Sequence, residues 1–236
     1  MPPSAERPLA VSPIGTELLD DPGSDPLIVT RSLRNIARAN RWFGGAAAAR
    51  WGLARVLAGT RPGSALTLLD LGTGIGDLPL ACARWARRRG IVLAPLGLER
   101  SRVAAALAHG AGVPTIVADA GAPPLGEQSV DVVLVSQVAH HFDPDSIVAL
   151  LRTADRLARL AVVVSDLRRS RVAQSAFTGG ALLLGFDAAT RHDGHTSIRR
   201  GFTTRELAAL LARAGIRARV ARRPGWRLVA AWRTDR

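Results

Sequence analysis

The feature that most constrains this chain is a short apolar run followed at once by alternating glycines, L-T-L-L-D-L-G-T-G-I-G-D at residues 66–77. The leucine-rich run predicts a buried strand, and a helical pattern begins after the last glycine. Gly72, Gly74 and Gly76 allow a sharp turn and a close approach to a ligand, because no Cβ is in the way. The first turn of the next helix also offers free N–H groups. The stretch therefore predicts a strand–loop–helix cradle for a ligand.

Acidic residues around this loop discriminate between ligands. The dinucleotide motif G-x-G-x-x-G would need a third glycine at position 77, where Asp77 would instead repel a pyrophosphate. Asp70 precedes the loop, and Glu99 ends the next apolar run. Three acids with no basic residue in the loop favour a ligand that carries positive charge and a ribose. S-adenosylmethionine, which has an ammonium, a sulfonium and a ribose diol, fits this description.

The order of these residues resembles that of class I S-adenosylmethionine-dependent methyltransferases, over roughly residues 66–233. The matching elements are Asp70-x-Gly72-x-Gly74-x-Gly76, Glu99, Asp119 in V-A-D-A, and S-Q-V-A-H-H-F at 136–142. The resemblance implies bound S-adenosylmethionine, released as S-adenosylhomocysteine. It implies Glu99 on the ribose hydroxyls, Asp119 on the adenine amino group and Asp70 at the methionine amine. The full set of predicted cofactor contacts is Asp70, Gly72, Thr73, Gly74, Gly76, Glu99, Arg100, Asp119, Ala120, Ser136, Gln137, Asn40 and Arg41.

The stretch S-L-R-N-I-A-R-A-N-R-W-F-G-G resembles the segment before the glycine loop in a bacterial subgroup of these enzymes. That subgroup is found with type III polyketide synthases and O-methylates phenolic or pyrone products. The resemblance implies that Asn40 and Arg41 approach the methionine carboxylate and that Trp42 contacts the substrate. A plain helix end, with Arg41 in solvent and Trp42 and Phe43 in the core, fits the sequence equally well.

Strands alternate with helices after residue 63, which predicts a doubly wound α/β fold with a seven-stranded, mostly parallel sheet, a Rossmann-like methyltransferase fold. The predicted strands are 66–71, 91–98, 113–118, 130–136 and 160–166, then 216–221 and 226–233 as an antiparallel pair. The predicted helices are 76–89, 101–109, 144–159, 169–184 and 205–214, the last with Thr204 as its N-cap. The stretch R-H-D-G-H-T-S-I-R-R-G-F-T before it is expected to be a loop, and Pro95 predicts a bulge or a late start in the second strand.

Three segments are expected along the chain. Residues 1–26 are proline-rich and predicted to be irregular, with an acidic patch at Asp20, Asp21 and Asp25. Residues 27–62 are predicted to form a helical lid over the cradle, and 63–236 the methyltransferase domain. The start has no apolar signal core, and no apolar run in the chain is long enough to cross a membrane. A cytoplasmic protein is therefore expected, as a monomer or a homodimer.

Candidate catalytic residues follow the strand ends, where ligands bind in open α/β sheets. His140 and His141 follow the fourth predicted strand, and adjacent side chains rarely point the same way, so we expect one general base. The prediction favours His141, oriented by Asp166, while Asp143 is expected to cap the next helix ahead of Pro144. The later loop resembles H-D-G-x-x-S-I-R-R-G-F in the same subgroup, so the predicted substrate contacts there are His192, His195 and Arg199. An apolar wall is expected from Phe177, Leu182, Leu183, Leu184 and Phe186.

Charge raises a second functional hypothesis. The 236-residue chain has a net charge of +13 and no lysine, which would suit a nucleic-acid methyltransferase. Aromatic residues are scarce, at 4% with no tyrosine. Amino-methylating DNA and RNA enzymes often carry an Asn/Asp-Pro-Pro-aromatic motif after the fourth strand, and this sequence has S-Q-V-A-H-H-F there instead. Nucleic acid is therefore disfavoured against a small-molecule substrate. C- or N-methylation of a small molecule and a non-catalytic, cofactor-binding role stay as alternatives. A single cysteine excludes an internal disulfide, and no cluster of metal ligands is visible, so metal-independent transfer is expected.

Overall fold

The computed structural model describes residues 13–15, 17, 19 and 23–234. Of the predicted acidic patch, Asp20 and Asp21 lie outside the described residues. Asp25 is the N-cap of the first helix, where its Oδ1 accepts a hydrogen bond from the Leu27 N–H at 2.8 Å. No described helix is long and apolar enough to cross a membrane.

Helices and strands alternate along most of the chain. The helices are α1 (Pro26–Trp42), α2 (Gly45–Val56), α3 (Asp77–Arg87), α4 (Arg102–Gly110), α5 (Pro144–Leu157), α6 (Arg171–Leu183), α7 (Ala188–Arg200) and α8 (Thr204–Arg213). The strands are β1 (Ala65–Leu71), β2 (Val92–Glu99), β3 (Thr115–Val117), β4 (Val130–Ser136), β5 (Ala158–Leu167), β6 (Val220–Arg223) and β7 (Arg227–Arg233). A single 3-10 turn, Ala139–His141, follows β4.

The seven strands form one sheet in the order β3-β2-β1-β4-β5-β7-β6. The first five are parallel, and β7 runs antiparallel to both β5 and β6. This confirms the predicted doubly wound, mostly parallel α/β fold. Two apolar clusters cover the two faces of the sheet, one beneath α5 and α8 and the other beneath α2 and α3. Because both faces are buried, β4 and β5 read as nearly continuous apolar runs rather than as alternating ones.

The structure differs from the predicted elements in several places. The expected loop at 191–203 is mostly helix α7, which begins after the N-cap Asp187. Thr203 rather than Thr204 caps α8, in a capping box with Glu206. The β2 register continues through Pro95 without a bulge, opposite Leu68 of β1. The Gly97 N–H donates toward β3, so the N–H that Pro95 lacks would point to that same side, before β3 begins.

The two helices before the cradle occupy different positions. Helix α1 passes over the glycine loop, since Leu33 Cδ2 would lie 3.8 Å from a Cβ built on Gly74. Helix α2 differs from the lid expectation, because it packs into the core. Its Gly52 lies so close to Val163 of β5 that an added Cβ would be 2.4 Å from Cγ1 of that valine. Only α1 is therefore in position to cover the cradle.

Candidate active site

The glycine loop adopts the backbone that its sequence predicts. Gly72, Gly74 and Gly76 have φ angles of 72°, 57° and 77°, in the left-handed region that favours glycine. A Cβ on Gly72 would lie 2.4 Å from Cγ2 of Val138, so a side chain there would collide as well as strain the backbone. The Gly72 N–H donates to the Leu98 carbonyl of β2 at 2.8 Å, which fixes the loop against the end of that strand.

Asp70 is the last residue but one of β1, beneath this loop, and its carboxylate is buried. Its Oδ2 accepts a hydrogen bond from Thr73 Oγ1 at 3.1 Å, whereas Oδ1 has no partner among the described residues. Burial, with the charges of Asp77 and Glu99 nearby, raises the pKa of Asp70 well above its usual value. A buried carboxylate with an open oxygen fits a ligand that brings a positive charge, because that charge would favour its ionised form.

The other predicted carboxylates are oriented by backbone N–H groups. Glu99 Oε2 accepts from the Gly74 N–H at 2.9 Å and Oε1 from the Ser101 N–H at 2.8 Å, and each oxygen retains capacity for one more donor. Asp119 Oδ1 accepts from the Gly121 N–H at 2.7 Å. Glu99 can thus receive two vicinal hydroxyls, so the cradle fits a ribose and an ammonium together. Of the remaining predicted contacts here, Ala120 packs against the core, Arg100 is exposed, and Ser136 is buried, with no partner for its Oγ in the described part of the chain.

A chain of polar side chains joins the cradle to the neighbouring strands. Asn40 of α1 donates from Nδ2 to Asp77 Oδ2 at 3.1 Å, and its own Oδ1 accepts from Gln137 Nε2. Gln137, at a φ of 58°, accepts in turn from Arg227 Nη1 on β7. Burial lowers the pKa of Arg227 to about 10, against the opposing effect of Asp166. Sequence reasoning missed Arg227, although an arginine leading the apolar run R-L-V-A-A-W was a signal. Arg41 is exposed and stacks 5.7 Å from the Trp42 ring centroid.

The histidine pair after β4 separates into two environments. His140 is buried, and its Nδ1 lies 2.6 Å from Asp166 Oδ1, while its backbone N–H donates to Oδ2 of the same carboxylate. Its Nε2 has no hydrogen-bond partner among the described residues. Asp166 therefore orients His140, which differs from the expectation that it orients His141. Burial opposes ionisation of Asp166, but the His140 charge and hydrogen bond and the Leu167 N–H together hold its pKa below the usual range.

Glu17, from the N-terminal segment, closes the other side of this pair. Its Oε1 lies 3.9 Å from His140 Nε2, and its Oε2 lies 3.9 Å from His141 Nε2. Ser197 Oγ donates to Oε1 at 2.8 Å, and Arg200 Nη1 lies 3.3 Å from the same oxygen. Glu17 was not predicted from the sequence, because nothing in its proline-rich surroundings marks it. Asp143 caps α5 as predicted, accepting from the Asp145 and Ser146 N–H groups.

Glu17, His140 and His141 are spaced so that they could hold a metal ion, since their ligand atoms lie within 4.8 Å of one another. The buried Arg200 guanidinium already neutralises Glu17, and its Nη1 is 3.5 Å from His141 Nδ1. A second cation at this point would face like-charge repulsion in a site that is largely shielded from water. The charge arrangement therefore favours an ion-paired carboxylate over a metal ligand, and metal-independent transfer stays our prediction.

These groups open onto a cavity of about 400 Å³. Helix α1 contributes Ile36, Ala39 and Trp42, α6 contributes Ala173 and Phe177, and Phe43, Phe186 and Ile198 complete the apolar wall. Gln137, His140, His141 and Glu17 supply polar groups. Leu182 and Leu183 were expected to form part of this wall, but they are 59% and 91% exposed and point away from the core.

The predicted substrate contacts fall into two groups. Trp42 lines the cavity while 65% exposed, so it is not the core residue that the alternative interpretation expected. His192, His195 and Arg199 do not line it. His192 and Arg199 are exposed, and His195 Nε2 lies 3.2 Å from Thr178 Oγ1 beside the Phe177 ring. On helix α7 the residues that face the cavity are Thr190, Asp193, Gly194, Ser197 and Ile198 instead.

Known proteins resemble this chain in part of its sequence and in its fold. Residues 68–160 match a family described as "Methyltransferase domain". No curated protein sequence matches the chain. Among solved structures, a putative S-adenosyl-L-methionine-dependent methyltransferase from Methanococcus maripaludis is similar at a TM-score of 0.61 and 12% identity, covering 96% of this chain and 99% of that one. A putative O-methyltransferase from Nostoc punctiforme is similar at 0.60 and 18%, covering 94% and 64%. Magnesium protoporphyrin IX methyltransferase from Synechocystis, with bound S-adenosylmethionine, is similar at 0.58 and 12%, covering 95% and 100%. At these identities the structural similarities show the shared fold.

Proposed function

We propose that this chain, whose residues 68–160 match a methyltransferase domain, is an S-adenosylmethionine-dependent methyltransferase and that it methylates a hydroxyl group of a small aromatic compound. Phenolic or pyrone compounds of polyketide type are the proposed substrate class. The observation that carries the proposal is the Asp166–His140 pair, with Nδ1 bound by a buried carboxylate and Nε2 left open beside an apolar cavity. This arrangement suits a general base that removes a proton from oxygen.

Asp166, His140 and Glu17 have separate roles in the proposed reaction. Asp166 keeps the His140 proton on Nδ1, so the Nε2 lone pair faces the cavity and can accept the proton of a substrate hydroxyl. S-adenosylmethionine, which Asp70 and Glu99 would hold, would supply an electrophilic methyl group for that oxygen and would leave as S-adenosylhomocysteine. Asp166 then stabilises the imidazolium that His140 has become. Glu17, fixed by Ser197 and Arg200, stands on the far side of Nε2 and can position the hydroxyl.

Energetics favour an acidic hydroxyl. A free phenol has a pKa near ~10 and a histidine near ~6.5, so complete proton transfer costs roughly 5 kcal/mol, which an enzymatic barrier can contain. An aliphatic alcohol is a far weaker acid and would gain less from one histidine. An enolic pyrone or a carbonyl-conjugated phenol ionises more readily, and the apolar wall formed by Phe43, Phe177 and Phe186 suits a flat ring.

The test is mass spectrometry of products from a panel of phenols and pyrones, followed by pH–rate profiles of two variants on the best substrate. His140→Ala should lower kcat by about 10²–10⁴-fold, and its residual rate should rise with pH as the substrate ionises unaided. His141→Ala is the matched control, because it lies next in sequence but does not bind Asp166, and it should change kcat by less than about tenfold. A product methylated at carbon or nitrogen, or a wild-type profile for His140→Ala, would contradict the proposal.

A further inference from the structure

The outer faces of α1 and α6 expose an unusual share of apolar side chains. Six of the ten large hydrophobic residues exposed in the described part of the chain lie on these two helices. They are Leu27, Ile28 and Trp42 on α1 and Val172, Leu182 and Leu183 on α6. Concentrations of this kind mark interaction surfaces, whereas scattered exposed apolar residues are ordinary.

The same surface is strongly basic. Helix α1 has exposed arginines at 31, 34, 38 and 41, a spacing that places all four along one side of a helix. Neither α1 nor α6 contains an aspartate or a glutamate. Of the described acids, Asp25 caps α1, and Asp187 lies near Arg31, whose charge together with hydrogen bonds from Thr190 lowers the pKa of Asp187 against the effect of burial. The charge on this face is therefore positive.

The basic and apolar parts adjoin each other. Arg38 Nη2 donates to the Leu184 carbonyl at 2.7 Å, directly after the end of α6, so the arginine stripe meets Leu182 and Leu183 there. Trp42 belongs both to this surface and to the lining of the cavity, which places the cavity at the edge of the surface. We call the exposed faces of α1 and α6 the α1–α6 surface.

We propose that the α1–α6 surface docks on an anionic lipid bilayer, with Leu27, Ile28, Leu182 and Leu183 entering the interface and the α1 arginines contacting lipid headgroups. Apolar side chains beside an excess of basic ones are what such an interface selects. A two-fold contact between copies of this chain would bring one arginine stripe near another. A nucleic acid would leave Leu183 without an apolar partner and would find one aromatic ring, Trp42, for stacking. Docking would put the cavity next to a membrane, from which an apolar substrate could enter.

The test is sedimentation of the full-length protein with vesicles of phosphatidylcholine alone or mixed with phosphatidylserine. Binding should require phosphatidylserine and weaken as salt rises. Arg31→Gln with Arg34→Gln should lower the partition coefficient about 25-fold, at about fivefold for each arginine. Leu183→Ser should lower it by about tenfold or more.

Matched controls lie at the amino ends of strands, on the side of the sheet away from the cradle. Arg217 and Arg219 precede β6, Val92 begins β2, and all three are exposed. Arg217→Gln with Arg219→Gln, and Val92→Ser, should leave vesicle binding unchanged. Equal binding to the two vesicle types, or equal losses in the control variants, would overturn the proposal. A dimer that dissociates in Leu183→Ser would overturn the proposal in favour of a second copy of the chain. RNA binding that Arg31→Gln with Arg34→Gln abolishes, with vesicles binding neither the wild type nor the variant, would overturn it in favour of RNA. Because the readout is lipid binding, these outcomes are independent of which atom the enzyme methylates.

Discussion

Replacing Asp166 by asparagine tests the catalytic pair without removing the histidine. Asp166 Oδ1 accepts from His140 Nδ1 at 2.6 Å and from the Leu167 N–H at 2.7 Å, while Oδ2 accepts from the His140 N–H at 3.3 Å. An asparagine must place its NH2 group at one of these positions, against a donor. With NH2 facing Nδ1, the histidine is driven to the tautomer that carries its proton on Nε2, and Nε2 can no longer act as the base.

The magnitude follows from the lost charge. At an effective dielectric constant of ~20, a carboxylate about 4 Å from an imidazolium stabilises it by about 4 kcal/mol. Losing that stabilisation lowers kcat by about 10³-fold, which falls within the range that general-base catalysis covers. We expect kcat to fall by that amount in Asp166→Asn, with KM and the affinity for S-adenosylhomocysteine nearly unchanged, since the cradle lies on β1 and β2.

The assay is steady-state methyl transfer across pH, read by mass spectrometry, with calorimetry for cofactor binding. Asp143→Asn is the matched control, because asparagine caps helices as well as aspartate does and Asp143 does not contact His140. It should keep wild-type kcat and an unchanged profile. A wild-type kcat in Asp166→Asn, with the variant folded, would refute the role assigned to the pair.

Three further outcomes are expected. Gly72→Ala combines a left-handed φ with a clash on Val138, so it should lower the free energy of unfolding by roughly 2–5 kcal/mol and abolish the thermal shift caused by S-adenosylhomocysteine. Its control is Gly59→Ala, at a φ of 83° with no neighbour within 4 Å, which should lower the free energy of unfolding by about 1 kcal/mol and keep that thermal shift. Because the pKa of Asp166 is lowered in the folded state, its contribution to stability is present above about pH 4 and is lost as pH falls, so Tm of Asp166→Asn should decline less than wild type on acidification, and an equal decline would contradict the shift. EDTA should leave turnover unchanged, whereas a loss restored by zinc or magnesium would make Glu17, His140 and His141 metal ligands.

Local sequence patterns were sufficient to predict the sheet and the cradle. Strand β4 occupies the predicted residues, and the glycine loop has the predicted backbone, because buried parallel strands and left-handed glycines leave strong local signals. Helix α7 was not predicted, since its buried face carries the polar residues Thr190, Asp193, Thr196 and Arg200 beside a single large apolar one, Ile198. Its polar side chains pack inward, so hydrophobic periodicity was absent.

The arrangement around the base depended on contacts between distant parts of the chain. Glu17 and Arg200 are 183 residues apart, and no local rule connects a proline-rich start to the end of α7. The choice between His140 and His141 is made by the 3-10 turn after β4, which turns one ring toward Asp166 and leaves the other partly exposed. Sequence spacing alone carries no information on that rotation.

The apolar wall of the cavity and the cradle come from different stretches of the chain. Residues 68–160 hold the glycine loop and the strand-end acids, whereas α1, α6 and α7 surround the cavity from outside that stretch. Such a division makes the scaffold modular: substitutions at Ile36, Ala39, Ala173 or Ile198 can reshape the accepted substrate while the cofactor contacts keep their geometry. A mutant library confined to those three helices is therefore a direct route to new methyl acceptors, and natural divergence of such enzymes can follow the same route.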